Sequence, residues 1–475
     1  MTSLLTIPLE LLISISSFVP TSDLASLRLT CKQIEKSLYE WFSGEFFTKK
    51  QFMLTPTSLQ ALIDISKHVS FSKKLTHIII ATDVYDEIPL RFRDSHAAMC
   101  YIKGYEDQKV LLSTGIDREM LTEAFQNLVN LDTVGMRDFN APSRVRDGDH
   151  ASWSSWGATT VHKNTGISLR SSSDPNYLSH VFSTIIHALG KANRTPSHFE
   201  VLLRQNGLPG TAFFLPDFLQ STAEPVLHNV KTLLLNVDLT FRYLHTHSNG
   251  VSVDAHAGRA MRRFLGYTPN LTHLRLNFQK HLVANNEAFM EWLGEPPPAL
   301  RSQPVSFFEP APIALPFLRH LDFGQLNVRP DILVAIVTKF APTLEDMNLW
   351  RMGLQSRAPP PFGHKPNLWS DFFAKLSSIP QLELKHFKAG MLQQDYMFVN
   401  FKVQDEEARL LKTKEHTGKQ MEKFLKELAK HVTVAWPAPV LQDDDDDSDE
   451  DEEMASFDDE DEDDEDDEDA EDDEE

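Results

Sequence analysis

A short frame, apolar-x-x-apolar-x-apolar, recurs along this chain from about residue 70 and restricts the folds it can adopt. It runs as Leu75-x-x-Ile78-x-Ile80, Leu131-x-x-Val134-x-Met136, Val230-x-x-Leu233-x-Leu235, Leu271-x-x-Leu274-x-Leu276, Leu318-x-x-Leu321-x-Phe323 and Leu344-x-x-Met347-x-Leu349. The last two apolar positions alternate as on a strand, and the first sits at the turn leading in. Phe199-x-Val201-x-Leu203 and Leu382-x-Leu384 are degenerate copies. Helical patterns lie between the strands. Residues 177–189 end at Gly190, a natural terminating glycine, residues 257–265 end at Gly266, and residues 331–340 follow Pro330. A further helix is expected at 117–129 within the charged stretch 86–129.

Strand alternating with helix at this scale makes the fold class α/β. The repeated frame resembles that of leucine-rich-repeat proteins, whose solenoid units bury an apolar face only by stacking on their neighbours. The copies start 41, 47 and 26 residues apart from Val230 onward, so the solenoid is irregular and loops project from it. A doubly wound α/β domain also alternates strand and helix; no Gly-rich phosphate loop supports it. The solenoid reading covers residues 70–400. Residues 401–432 are expected to form a capping helix, with Met421, Phe424, Leu425 and Leu428 on one face of a segment starting at Gln404. In the solenoid the helices take the convex side. Arg275 and Asn348 face the concave side, where Trp350 and Arg351 are candidate target-binding residues, because aromatic and Arg side chains dominate binding hot spots. Residues 140–175, with Trp153 and Trp156, read as an irregular surface loop anchored locally or forming a recognition spot. The Pro-rich stretches 296–316 and 358–366 read as loops or spacers.

Ahead of the repeats stands Leu4-x-x-Ile7-Pro8-x-Glu10-Leu11-Leu12-x-x-Ile15, followed by Asp23-Leu24-x-x-Leu27-Arg28-x-x-Cys31-Lys32. Pro8 suits a first helical turn, and Leu11, Leu12, Ile15 and Phe18 follow as an apolar stripe. Pro20 stops that helix and Ser22-Asp23 can cap a second. Thr30 with Gln33 fits a capping box opening a third. Three helices of about ten residues bury little among themselves, so some of these leucines need another cover. The order and spacing over residues 1–45 resemble the F-box of the fungal-type F-box family, with Ile7 in place of the usual leucine. That resemblance implies a docking face for the Skp-type adaptor of an SCF ubiquitin ligase, with Leu4, Ile7, Pro8, Leu12, Ile15, Leu24 and Leu27 at or just beneath it. Residues 46–69 are read as linker helices. An ordinary helical subdomain is the plainer alternative.

The formal charge of −23 is unevenly spread. Residues 443–475 hold 27 acidic residues and no Lys or Arg, which leaves residues 1–442 at +4. Such a run repels itself and has little to bury, so residues 441–475 are expected to be a disordered acidic tail. Three roles stay open for it: solubility, attraction of a basic protein, or transient contact with basic patches such as Arg259, Arg262 and Arg263. Ser448 and Ser456, each with an acid three positions on, resemble casein-type kinase sites.

Signals for chemistry are few. The chain has no P-loop, Gly-x-Gly-x-x-Gly, His-Glu-x-x-His or Gly-x-Ser-x-Gly motif, so no cofactor and no catalytic role are expected. His245-x-His247 lacks further ligands at zinc spacing. Two cysteines, Cys31 and Cys100, make no disulfide framework. Glu10 interrupts the N-terminal apolar run, which has no basic leader, and no stretch is long enough to span a membrane. No Lys/Arg-rich run points to nucleic acid. The expected function is substrate recognition in an SCF-type E3 ligase, in the cytoplasm or nucleus, with the adaptor and cullin as partners and a protein target unknown from sequence. The alternative is an acidic-tailed scaffold or chaperone for a basic protein that uses its F-box outside ubiquitination. An enzyme with an unrecognised α/β site is a third.

Overall fold

The computed structural model describes residues 4–87, 91–142, 144–148, 151–239, 258–279, 283–297, 310–356, 365–403 and 406–436. His245, His247, Ser448, Ser456, the acidic tail and much of both Pro-rich stretches lie outside them. Residues 1–435 form one compact unit.

Three helices open the chain: α1 (Leu9–Ser17), α2 (Thr21–Leu29) and α3 (Lys32–Phe47). A mixed α/β body follows. Its main sheet takes Lys49–Met53, His77–Ala81, Thr133–Arg137, His198–Leu202, Thr232–Asp238, His273–Phe278, His320–Gly324, Asp346–Trp350 and His386–Gly390 in chain order, each parallel to the one before. Thr413–Thr417 closes that path antiparallel to His386–Gly390. The strand order never reverses, whereas a doubly wound sheet needs such a reversal. A second, smaller sheet starts from the short parallel strands Asn327–Val328, Gly353–Leu354 and Gln393–Gln394.

The register makes equivalent positions into rows. Ile78, Val134, Phe199, Leu233, Leu274, Leu321, Met347 and Phe387 are aligned and buried, as are Ile80, Met136, Val201, Leu235, Leu276, Phe323, Leu349 and Ala389. The leading residues Leu75, Leu131, Val230, Leu271, Leu318 and Leu344 are buried too, and so is Leu384. Leu384-x-x-Phe387-x-Ala389 is therefore the true eighth frame, and its inward strand positions lie five residues beyond those expected at Leu382-x-Leu384. Helices cover this apolar face, and each buried Leu or Phe contributes about 1.5–3 kcal/mol.

The sheet begins earlier than residue 70, inside the expected linker helices. Lys49–Met53 is its first strand, and only Pro56–Lys67 of that region is a long helix. The frame is obscured because Lys50 stands where other copies carry an apolar residue. Its ammonium lies 5.3 Å from the Phe47 ring and 5.4 Å from Trp156, and burial holds its pKa down at about 8. The expected helix from Gln404 is also corrected: residues 406–411 and 413–417 are strands, and the helix is confined to Met421–His431. Gly418 at φ +100° and Gln420 at φ +70° separate strand from helix. The helix expected at 117–129 spans Ile116–Asn127, and Ala158–Thr165 is helical within the expected loop 140–175.

The two glycines read as helix stops have different roles. The helix Pro175–Ala192 runs through Gly190 and is capped by left-handed Asn193. At Gly190 a Cβ would fall 2.5 Å from the Thr222 carbonyl oxygen, so the glycine permits close approach of the helix Asp217–His228. Gly266 is the last residue of Arg259–Gly266, and a Cβ there would meet nothing within 4 Å. Gly190→Ala should lower unfolding free energy by about 1–3 kcal/mol, an overpacking cost. Gly266→Ala should stay within about 0.5 kcal/mol of the parent in denaturant melts.

On the other face the first strand position carries a row of histidines, His77, His198, His273, His320 and His386. Carboxylates answer several of them: His273 meets Asp322 at 2.7 Å, His320 meets Asp346 at 2.9 Å, and His386 meets Glu415 at 3.0 Å. His77 differs. Glu200 is 3.5 Å away and makes no hydrogen bond to it, while burial and the nearby cations Lys49 and Arg137 push its pKa down to about 3. A depressed histidine leaves stability intact above its ordinary pKa of about 6.5 and removes it as pH falls towards 3. His77→Gln should therefore lose about 1 kcal/mol less stability than the parent between about pH 7.5 and pH 5.5 in urea melts.

Candidate functional site

Local physics shapes the N-terminal helices. Pro8 and Pro20 occupy the N-cap positions rather than the first turn, and their carbonyls accept from the amides of Leu12 and Leu24 at 3.1 and 2.8 Å. Their fixed φ sets the extended entry each cap needs. The expected capping box does not form. Cys31 caps α3, and the Thr30 hydroxyl donates to the Leu27 carbonyl at 2.7 Å.

The helices build a small core from Leu12, Leu24, Ile34, Leu38 and Phe46, with Ile7, Leu27 and Cys31 half-buried around it. Of the seven residues expected at the docking face, Leu12 and Leu24 are thus internal, Ile7 and Leu27 half-covered, and Leu4, Pro8 and Ile15 exposed. Leu5, Leu9, Leu11, Phe18 and Leu29 are exposed as well, Phe18 at 81% and Leu29 at 87%. Leu11, Ile15 and Phe18 share one face of α1 by their i, i+4, i+7 spacing. The sequence signal for them was the surplus itself. A nine-residue helix and its C-cap, with Leu11, Leu12, Ile15 and Phe18, have more apolar surface than one inward stripe can take. A cluster of exposed large apolar side chains marks an interaction surface.

The module is fastened to the body by residues 144–147, part of the expected surface loop. Asp147 accepts from the Thr21 amide and hydroxyl, both at 2.7 Å. Glu45 accepts from Arg144 and Arg146 at 2.7 and 2.6 Å, and the Arg144 guanidinium also lies 4.1 Å from the Phe46 ring. Phe47 stacks on Phe71 with centroids 3.9 Å apart. Trp156 donates its backbone N–H to the Gln51 carbonyl at 2.8 Å, covering the sheet's first edge, so local anchoring is the role its contacts describe.

At the far end of the sheet Trp350 and Arg351 stand together. Trp350 closes the strand Asp346–Trp350, half-exposed, with its ring over Gly390, where a Cβ would fall 2.3 Å from it. Arg351 follows at φ +51°. Gln325 and Met391 follow their own strands at φ +52°. Each of the three donates its amide to the carbonyl that ends or precedes the adjacent strand, at 3.0 Å. The left-handed conformation costs about 1–2 kcal/mol for a residue with a Cβ. Among the described residues no group of three or more His, Cys, Asp or Glu is placed to hold a metal ion. No helix there is long and apolar enough to cross a membrane.

A search of the curated proteins finds no match to this chain. Residues 4–37 match the model of the F-box domain; they include the exposed apolar face and Leu12, Leu24 and Ile34 of the small core. F-box domains in general bind Skp-type adaptors in SCF complexes, and this chain carries such a domain at its N-terminus.

Proposed function

We propose that this chain is the substrate-recognition subunit of an SCF-type E3 ubiquitin ligase. The single observation that carries this reading is the coincidence of the F-box match with an exposed apolar face that the other described residues leave uncovered. Leu4, Pro8, Leu11, Ile15 and Phe18 meet the adaptor directly, Ile7 and Leu27 contribute at the margin, and Leu12 and Leu24 hold the helices that present them. The body is a leucine-rich-repeat-like solenoid, supported by strands that pair in chain order with one repeated frame. It offers its polar face, with Trp350 and Arg351, to a target protein in the cytoplasm or nucleus. The chain does no chemistry itself, and ubiquitin transfer belongs to other subunits.

A second reading is favoured by the 27 acidic residues among 443–475: a scaffold or chaperone for a basic protein, holding the adaptor without the cullin. Co-purification separates the two. Adaptor and cullin recovered together support the ligase, and adaptor recovered without cullin supports the scaffold.

Truncating a buried anchor in such an interface costs about 2 kcal/mol or more, about thirtyfold in affinity. Leu11→Ala with Phe18→Ala should abolish adaptor pull-down while leaving the thermal midpoint unchanged, since both side chains are exposed. Leu24→Ala should instead destabilise the module by about 2–5 kcal/mol. Full adaptor capture by the surface double variant would sink the assignment of this face.

A further inference from the structure

At the C-terminal ends of the ladder strands lies an open cavity of about 540 Å³ lined by Arg204, Gln205, Gln279, Gln325, Arg351, Met391, Gln393 and Phe398. Five of these follow five of the strands: Arg204 after His198–Leu202, Gln279 after His273–Phe278, and Gln325, Arg351 and Met391 after the next three. They therefore form a line across the sheet. Six strands span it, counting Thr232–Asp238, and five steps of about 4.8 Å make about 24 Å, the length of about seven extended residues. The lining includes two guanidinium groups, four glutamines and no carboxylate. Exposed Trp350, Tyr396 and Phe398 provide apolar surface nearby.

Backbone strain is a second, independent observation. Gln325, Arg351 and Met391 hold a left-handed conformation that glycine adopts without cost, yet each carries a long side chain lining the cavity. Strain kept at a repeated position points to a use for the side chains.

We propose that this groove binds an extended acidic segment of a partner protein, about seven residues long, laid across the strand ends. The inference rests on the reading of the chain as a target receptor and adds the chemistry of what it receives. Arg204 and Arg351 take carboxylates near the two ends of the segment, four strand steps or about 19 Å apart, which is about six residues of extended chain. The glutamine amides face the segment's backbone, and Trp350 beside Arg351 and Phe398 beyond it, paired with Gln393, offer apolar surface to the segment's own apolar side chains.

The test is fluorescence anisotropy with the labelled peptide Glu-Ser-Leu-Ser-Leu-Ser-Glu, blocked at both ends, and its counterparts with Gln or Lys at both Glu positions. Two forms of the full chain are used: the parent and one with every Asp and Glu of residues 443–475 changed to Asn or Gln, which removes the chain's own competing acidic peptide. Binding of the Glu peptide by either form, at least about tenfold tighter than the Gln or Lys peptides, supports the proposal. Arg351→Gly relieves the left-handed strain and deletes the guanidinium. It should weaken binding about tenfold while holding the thermal midpoint within about 2 °C. Binding by neither form, equal binding of the Lys peptide, or full binding by both Arg351→Gly and Arg351→Glu overturns it. Adaptor capture measured on the same samples stays intact in all these cases if only the groove assignment fails, and its loss would indict the ligase reading instead.

Discussion

The structure depends on one condition: no strand of the ladder can bury its inward side chains alone. Leu274 and Leu276 are covered because Leu233 and Leu235 stand on one side and Leu321 and Phe323 on the other, in register. Each strand is thus both a beneficiary and a template, and burial propagates along the sheet from Phe52 to Phe387. A one-residue slip anywhere would turn a whole row to solvent. The helices are constrained in turn, since each must reach from one rung to the next and lie over the apolar rows, which is why Gly190 admits a neighbouring backbone.

Both ends of the ladder need a different solution, because an end strand lacks one neighbour. At the first edge Trp156 hydrogen-bonds to Gln51, and Lys50, placed inward, keeps its charge near two aromatic rings. At the last edge the chain reverses, and Thr413–Thr417 pairs antiparallel with His386–Gly390. The His416 ring there stacks on Phe424 of the closing helix, centroids 4.8 Å apart. The first edge is also where the F-box helices join. With α3 ending at Phe47 and the first strand starting at Lys49, one intervening residue separates the F-box module from the ladder. The bonds of Asp147 and Glu45 then hold it from the side.

Much of this was legible in the residues because burial rows demand apolar side chains at fixed steps. The six clean frames all became buried rungs. What was not legible follows a physical pattern. The first strand was hidden by Lys50, whose methylene stem fills an inward position that a hydrophobicity reading counts as polar. The last rung was misphased because Leu382 and Leu384 are apolar at a two-residue step, although Leu384 is the leading residue and Phe387 the first inward strand position. Residues 406–417 carry charges that suit a helix, but pairing with an open sheet edge outweighed propensity. At the F-box the order of residues was readable, while the split between inner and outer leucines was not. Leu11 and Leu12 are adjacent in sequence, and only the packing of α1 on α3 makes one exposed and the other core.

Departures from the repeated rule are informative for the same reason. A ladder built only for stability would place glycine or asparagine at each left-handed turn and apolar residues wherever the module could close on itself. Here Gln325, Arg351 and Met391 hold left-handed turns, and Leu11, Ile15 and Phe18 remain in water. Each departure costs free energy in the isolated chain, by backbone strain in one case and by exposed apolar area in the other. The two sets lie in different regions of the chain, one in the N-terminal helices and one at the strand ends of the later rungs. The receptor role proposed above would require two such surfaces held in fixed relation. The continuous ladder between them provides that relation, because its rungs share rows of buried side chains and cannot move independently without exposing them.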